Sequence, residues 1–264
     1  MKTDARGRRR VGRFRRGVSL LPTFFTMGNL FLGFSAIVAS IEGRHAKAAP
    51  LILWAMLLDV LDGRIARMTG TASEFGGELD SLADAISFGV APAVLIYTWA
   101  CRPMMPIGWV AAFLFVTCGV MRLARFNVQK HVVDGRHFVG LPIPAAAGQL
   151  SAIVLFAQKP PDSQSARLMI VFFMVALSFL MVSTLRYPSF KTVDLRSRRS
   201  YITVLGVALL FPLLALHPDW MLIIAGSVYT LSAPTTNLIG RARRRIRFGK
   251  RDKTIAIGTA GVSH

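Results

Sequence analysis

Six of the chain's 13 acidic residues lie between Asp59 and Asp84, a stretch flanked and interrupted by apolar residues. Four are aspartates: Asp59 and Asp62, three apart, and Asp80 and Asp84, four apart. On helices, each pair occupies one face. Ionisable groups within apolar, membrane-length helices are costly and mark function. Four carboxylates brought together repel one another unless a cation joins them. A hard divalent ion with oxygen ligands meets that need. Mg²⁺ or Mn²⁺ suits a site that keeps positions open for phosphate oxygens, and two ions would balance the four charges. Spacing alone leaves two alternatives, ion pairing with Arg64 and Arg67 or a proton relay in a transporter.

The elements that must carry these residues follow from composition. The 264 residues are 53% hydrophobic and 17% charged, with a mean hydropathy of +0.49. The apolar residues come in blocks of about 17 to 22, long enough to cross a bilayer core. A soluble enzyme is thereby excluded. Continuous apolar runs in lipid mean helices, since helices satisfy their own backbone. The expected fold is an all-α polytopic bundle of about eight transmembrane helices, near 20–41, 47–67, 77–99, 106–121, 141–158, 168–185, 201–216 and 219–239. The basic head and first apolar block resemble a secretory signal, but the block is too long for one and is read as a retained span. Residues 1–19 and 240–264 are expected to be basic cytoplasmic tails around a membrane domain at 20–239. With both termini cytoplasmic, 27 of the 32 Lys and Arg fall on that side, as the positive-inside rule requires. The pI near 11.4 could suggest nucleic acid. The basic clusters lie between apolar blocks, however, so anionic headgroups are the nearer partner and no nucleic acid is expected. Cys101 and Cys118 form no disulfide framework.

The second span runs from Asp59 through Asp62 and Gly63 to Ala66 and Arg67, with Asp80 and Asp84 across a short connection near 68–75. Being antiparallel, the two helices bring both pairs to the cytoplasmic boundary. Gly63, Ala66 and Gly76 keep that face low, for a nucleotide or for close helix packing, and Arg67 can neutralise a phosphate. Thr26 and Asn29, three apart in the first span, can contact a nucleotide or bond between helices.

The pattern D-x-x-D-G-x-x-A-R-x8-G-x3-D-x3-D, from Asp59 to Asp84, resembles the signature of the CDP-alcohol phosphatidyltransferases at every defined position. Members displace CMP from a CDP-linked lipid with an alcohol. The resemblance implies metal ligation by Asp59, Asp62, Asp80 and Asp84, with Asp84 also accepting the proton of the attacking hydroxyl. It implies CDP contacts at Gly63, Arg67 and Ser73, a serine that alone reads as a loop or cap residue. Three further blocks run from Arg122 to Asn127 (R-L-A-R-F-N), from Gly140 to Pro144 (G-L-P-x-P) and from Arg186 to Lys191 (R-Y-P-S-F-K). They resemble the bacterial phosphatidylserine synthases of that family. The partners then expected are CDP-diacylglycerol, L-serine and a second copy in a homodimer. The setting is a bacterial inner membrane, with the active site on the cytoplasmic face. Arginines at span ends also serve as topology anchors, but serine is a zwitterion whose carboxylate needs a cation. Arg122, Arg125, Arg186 and Lys191 are candidates for it, and Asn127 for the ammonium. Glycerol 3-phosphate and inositol phosphate are the alternative acceptors.

Overall fold

The computed structural model describes residues 20–69, 73–129, 137–188, 220, 222–232 and 234–235. The expected span 201–216, both tails and Lys191 lie outside the described residues. Seven helices are described: α1 (Leu20–Ile41), α2 (His45–Thr69), α3 (Glu74–Met104), α4 (Ile107–Gln129), α5 (Ile143–Ala157), α6 (Gln164–Val182) and α7 (Leu222–Ser232). The molecule is a membrane bundle of the all-α class, with one short two-stranded ribbon. Four segments, Thr23–Ile41, Glu74–Met104, Ile107–Val128 and Gln164–Val182, are each long and apolar enough to cross a bilayer. The α2 helix misses that description because its C-terminal half carries Asp59, Asp62, Arg64 and Arg67.

Small side chains set the packing. The helices α1 and α2 run against each other, and Ala36, Ala39, Ala48, Ala49 and Ala55 are buried in the core. Without a hydrophobic drive between helices in lipid, close backbone approach of this kind holds a bundle. The helix α4 packs on α6, and α5 on α2. The helices α1 and α3 also approach closely, since a Cβ on Gly33 would sit 2.7 Å from the Ser87 Cα.

The helix α3 is not uniform. It is α-helical over Glu74–Asp84, widens to a π turn at Ala85–Val90, returns to α over Ala91–Ile96 and widens again at Tyr97–Cys101. Pro92 has no N–H to give the preceding turn, and a wide turn there absorbs the missing bond. Asp84 sits at the first of these junctions.

Two differences from the sequence reading matter for the site. The helix α4 continues through Gln129, so the block Arg122–Asn127 lies on a helix rather than in the expected loop after residue 121. Its Phe126 sits one turn beyond Arg122, with the guanidinium 5.9 Å from the ring centroid. The start of the third block pairs with the segment just before the second in a small ribbon, β1 (His137–Val139) antiparallel to β2 (Arg186–Pro188), with Phe138 opposite Tyr187. Gly140 follows it at φ +82°, and a Cβ there would meet the Met181 carbonyl oxygen at 2.2 Å. Only glycine fits that turn. Its N–H donates to the Leu185 carbonyl at 2.8 Å, and the Leu141 N–H to the Leu180 carbonyl at 3.0 Å. The ribbon therefore seats the segment after α4 on the end of α6.

Candidate active site

The helices α2 and α3 present their aspartates to each other across the short connection that joins them. Ser73 caps α3, its Oγ accepting from the Gly76 N–H at 3.0 Å. Its carbonyl accepts from the Gly77 N–H at 3.0 Å. A Cβ on Gly76 would press on that Oγ at 3.0 Å, so glycine fits the cap. From this start, Asp80 comes round to meet Asp59 and Asp62. Each of the three offers one carboxylate oxygen, and these atoms lie within 4.8 Å of one another. Two oxygens on opposite sides of a hard divalent ion stand about 4.0–5.2 Å apart, twice the usual bond length, and adjacent ligands stand closer. The donor set therefore fits such an ion. Asp84 stands outside this trio, with its carboxyl in hydrogen-bonding contact with Asp59. Two carboxyl groups approach so closely only with a proton or a cation between them. Among the described residues, no Lys or Arg forms an ion pair with Asp59, Asp62 or Asp84.

The first helix supports these carboxylates directly. The Thr26 hydroxyl donates to Asp62 Oδ2 at 3.1 Å, and Asn29 Nδ2 donates to Asp84 Oδ1 at 3.4 Å. Asn29 is fully buried, and its carbonyl accepts from the Ser87 hydroxyl at 3.1 Å. That last bond crosses the close approach at Gly33, so α1 braces α3 at the π turn that follows Asp84. Interhelical bonding, one of the two roles open to Thr26 and Asn29 from sequence, is what the geometry displays. Gly63, next to Asp62 in the chain, faces open space, and a Cβ there would meet nothing within 4 Å. The side chains of Ala66 and Arg67 lie outside the described set.

The helix α4 brings a second group of candidates. Arg122 is buried at 8% exposure, and its Nε has no hydrogen-bond partner among the described residues. The guanidinium lies 5.9 Å from the centroid of the Phe126 ring, within cation–π range. Asp84 and Tyr229 are its electrostatic neighbours. Arg125 is engaged elsewhere, with Nη1 donating to the Val182 carbonyl at 3.3 Å at the C-terminal end of α6. Such a contact caps a helix end and complements its dipole. Asn127 Nδ2 donates to the Ser81 hydroxyl at 2.9 Å, which donates to the Gly77 carbonyl at 2.9 Å. The Asn127 Oδ1 is buried without a partner among the described residues. The side chain of Arg186 and the whole of Lys191 lie outside the described residues.

Sequence reasoning missed Ser81, Ser87 and Tyr229. Ser81 and Ser87 carry a signal of a kind, as polar residues in an apolar span close to the aspartates. Tyr229 carries none, because a tyrosine in an apolar block reads as core or interface.

Residues 19–183 match the model of the CDP-alcohol phosphatidyltransferase family. The CDP-diacylglycerol–serine O-phosphatidyltransferase of Helicobacter pylori is 40% identical over 193 residues, covering 73% of this chain and 81% of the relative. The archaetidylserine synthase of Methanothermobacter thermautotrophicus is 42% identical over 170 residues, covering 64% of this chain and 69% of the relative. The CDP-diacylglycerol–serine O-phosphatidyltransferase of Bacillus subtilis is 34% identical over 174 residues, covering 66% of this chain and 93% of the relative.

Proposed function

The chain belongs to the CDP-alcohol phosphatidyltransferase family, and from that premise we propose that it moves the phosphatidyl group of CDP-diacylglycerol to the hydroxyl of L-serine, releasing CMP. The observation that carries the chemistry is the convergence of Asp59, Asp62 and Asp80 within 4.8 Å, with Asp84 against them. The names of the relatives support serine as the acceptor. Divalent cations, Mg²⁺ or Mn²⁺ and two in number by charge balance, would be held by Asp59, Asp62, Asp80 and Asp84, and when bound they neutralise the diphosphate and the leaving CMP.

Phosphoryl transfer asks for positioning and charge neutralisation more than covalent help. The CDP group is assigned to Gly63, Ala66, Arg67, Ser73 and Gly76, with the open space at Gly63 in support. Thr26 and Asn29 steady the carboxylates from α1 and border the same cleft. The serine hydroxyl attacks the phosphorus that bears the diacylglycerol. Its new O–P bond forms as the bond to the bridging oxygen breaks, and that electron pair leaves with CMP. Asp84 takes the hydroxyl proton as the bond forms.

Serine brings a carboxylate that needs a cation once it leaves water, and a guanidinium offers a bidentate fork. The geometry favours Arg122, which is buried, lacks a partner on Nε among the described residues and has Asp84 among the charges that act on it. Asn127 Oδ1 is a buried acceptor suited to the ammonium. Arg125, bound to the end of α6, acts as an anchor. Lysine is a point charge and cannot reproduce the fork. Arg122→Lys should therefore raise the serine KM roughly 10- to 100-fold, the loss of one charge-assisted contact, with little change in the KM for CDP-diacylglycerol. Arg125→Lys should leave both constants near the parent's. Steady-state kinetics with each substrate varied in turn decide it, and the reverse pattern would move the carboxylate site to Arg125.

We place the active site at the cytoplasmic face of a bacterial inner membrane, supported by the 27 to 5 bias of basic residues. One experiment tests acceptor and sidedness together. Sealed inside-out and right-side-out vesicles from bacteria expressing the chain are given CDP-diacylglycerol, Mn²⁺ and one alcohol at a time. CMP release above vesicles lacking the chain should appear with L-serine, and from inside-out vesicles. Equal release with glycerol 3-phosphate or inositol phosphate would overturn the acceptor, and release from right-side-out vesicles the orientation.

A further inference from the structure

The variable position of the G-L-P-x-P block is Ile143, whose side chain is fully buried. Its neighbours fix where it goes. Ahead of it, the Gly140 and Leu141 N–H groups are tied to the Leu185 and Leu180 carbonyls at the end of α6. Pro142 caps α5 and Pro144 stands in its first turn, where the missing N–H has no partner to lose and the fixed φ suits a helix. A β-branched side chain at the start of a helix has few rotamers. Ile143 therefore enters the bundle as a stiff wedge, and its Cδ1 reaches two other helices. A Cβ on Gly119 of α4 would stand 2.6 Å from it, and one on Gly89 of α3 would stand 3.7 Å away. Gly89 lies in the π turn that follows Asp84, and α4 packs on that turn.

The helices α3 and α4 are joined at a second point, where Asn127 Nδ2 donates to the Ser81 hydroxyl at 2.9 Å. From Ser81 to Gly89 is eight residues forward along α3, and from Asn127 to Gly119 is eight residues back along α4. The antiparallel helices thus run in register between two pins, about 12 Å apart at the usual rise. Asp84 lies three residues from the Ser81 pin and Arg122 three from the Gly119 pin, so both share the faces that meet. Along the axis the two are offset by only about 3 Å. We propose that Ile143 is a positioning residue of the reaction, a spacer that holds α3 and α4 apart next to Asp84 and Arg122 and thereby sets how long an acceptor fits between them. This rests on the reading of serine as the acceptor. The serine hydroxyl must reach Asp84 while its carboxylate reaches Arg122, so the width of that gap selects the number of carbons between the two groups. Ile143 acts through the two helices that it parts.

The test is Gly119→Ala. Carbon atoms in contact rest about 3.5–4.0 Å apart, so the new methyl must push α4 away from the Ile143 Cδ1 by about 1 Å. Misplacement by that much costs up to about 10²-fold in rate, so kcat/KM for L-serine should fall about 10- to 100-fold. L-homoserine, longer by one methylene between carboxylate and hydroxyl, should lose less, and its kcat/KM relative to serine should rise about tenfold. The KM for CDP-diacylglycerol and the Mn²⁺ affinity read by electron paramagnetic resonance should not move. Ile143→Val removes the Cδ1 that the methyl strikes and leaves Cγ1 at 3.4 Å. The double variant should therefore recover both the serine rate and the parent's preference. A merely structural contact would lower the melting temperature and leave the homoserine-to-serine ratio where it was. An unchanged ratio in Gly119→Ala, or no recovery in the double variant, overturns the assignment. Should Gly119→Ala fail to fold, Ile143→Val alone shortens the spacer and should lower the homoserine-to-serine ratio, and no change there overturns the assignment equally. A parent protein that releases no CMP with serine sinks the acceptor reading and this assignment with it. A serine-active parent whose ratio ignores these substitutions sinks this assignment alone.

Discussion

Alanine at Asp59, Asp62 or Asp80 is expected to abolish turnover, and chelation with excess EDTA to do the same to the parent protein. A metal contact stabilises transition-state charge by several kcal/mol, so each substitution should lower kcat/KM by at least about 10³-fold. Loss of activity alone would not separate a metal centre from carboxylates that merely hold the helices together. Thermal stability does, because the sign changes with metal. Without metal, Asp59 sits among Asp62, Asp80 and Asp84, and the carboxylates repel one another. Removing it should raise the melting temperature in EDTA. With Mn²⁺ present, the parent should gain stability by mass action, and Asp59→Ala should gain far less. Paired with arginines, the same aspartate would cost stability in both buffers when removed. Activity that persists in excess EDTA would defeat the metal reading whatever the melting curves give.

The aspartate cluster was legible from sequence because two helical spacings and one short connection leave little freedom. Residues three and four apart must share a face, and adjacent antiparallel spans must bring those faces to one side of the membrane. The bundle was legible for a similar reason, since apolar blocks in lipid have no alternative to helices. Beyond that, legibility falls where contacts are long-range. Thr26 and Asn29 were visible as polar residues in a span, but whether they face a nucleotide or Asp62 and Asp84 depends on how α1 lies against α2 and α3. That depends in turn on Gly33 meeting Ser87, a contact that no local pattern encodes. Arg122 and Arg125 look equivalent along the chain. Their difference arises because α4 packs on α6, which puts the Val182 carbonyl within reach of Arg125 and leaves Arg122 buried next to the Phe126 ring. The end of α4 was misread because the apolar run stops near residue 121 while the helix continues through Gln129. Hydropathy marks where lipid ends, and a helix need not end there. The ribbon that pairs Phe138 with Tyr187 is too short to show an alternating pattern.

Asp84→Asn separates binding from chemistry. The side chain has two neighbours that matter, Asn29 Nδ2, which donates to Oδ1 at 3.4 Å, and the carboxyl of Asp59. An asparagine amide satisfies both, since its oxygen accepts from Asn29 and its nitrogen donates to Asp59. The packing at the π turn after Asp84 should therefore survive, and so should the brace from α1. The loss is the capacity to take a proton. If Asp84 acts chiefly as general base, CDP-diacylglycerol should bind as in the parent while kcat falls by roughly 10²–10⁴. The pH profile adds a second readout. A carboxylate base must be ionised to act, so kcat of the parent should rise with pH through its titration, and the variant should lose that rise. Mn²⁺ titration completes the test. The trio of Asp59, Asp62 and Asp80 is intact in the variant, so one tight metal equivalent should remain. A fall in CDP-diacylglycerol affinity equal to the fall in rate, with Mn²⁺ affinity lost in parallel, would make Asp84 a metal ligand first. The proton of the serine hydroxyl would then have to leave by another group.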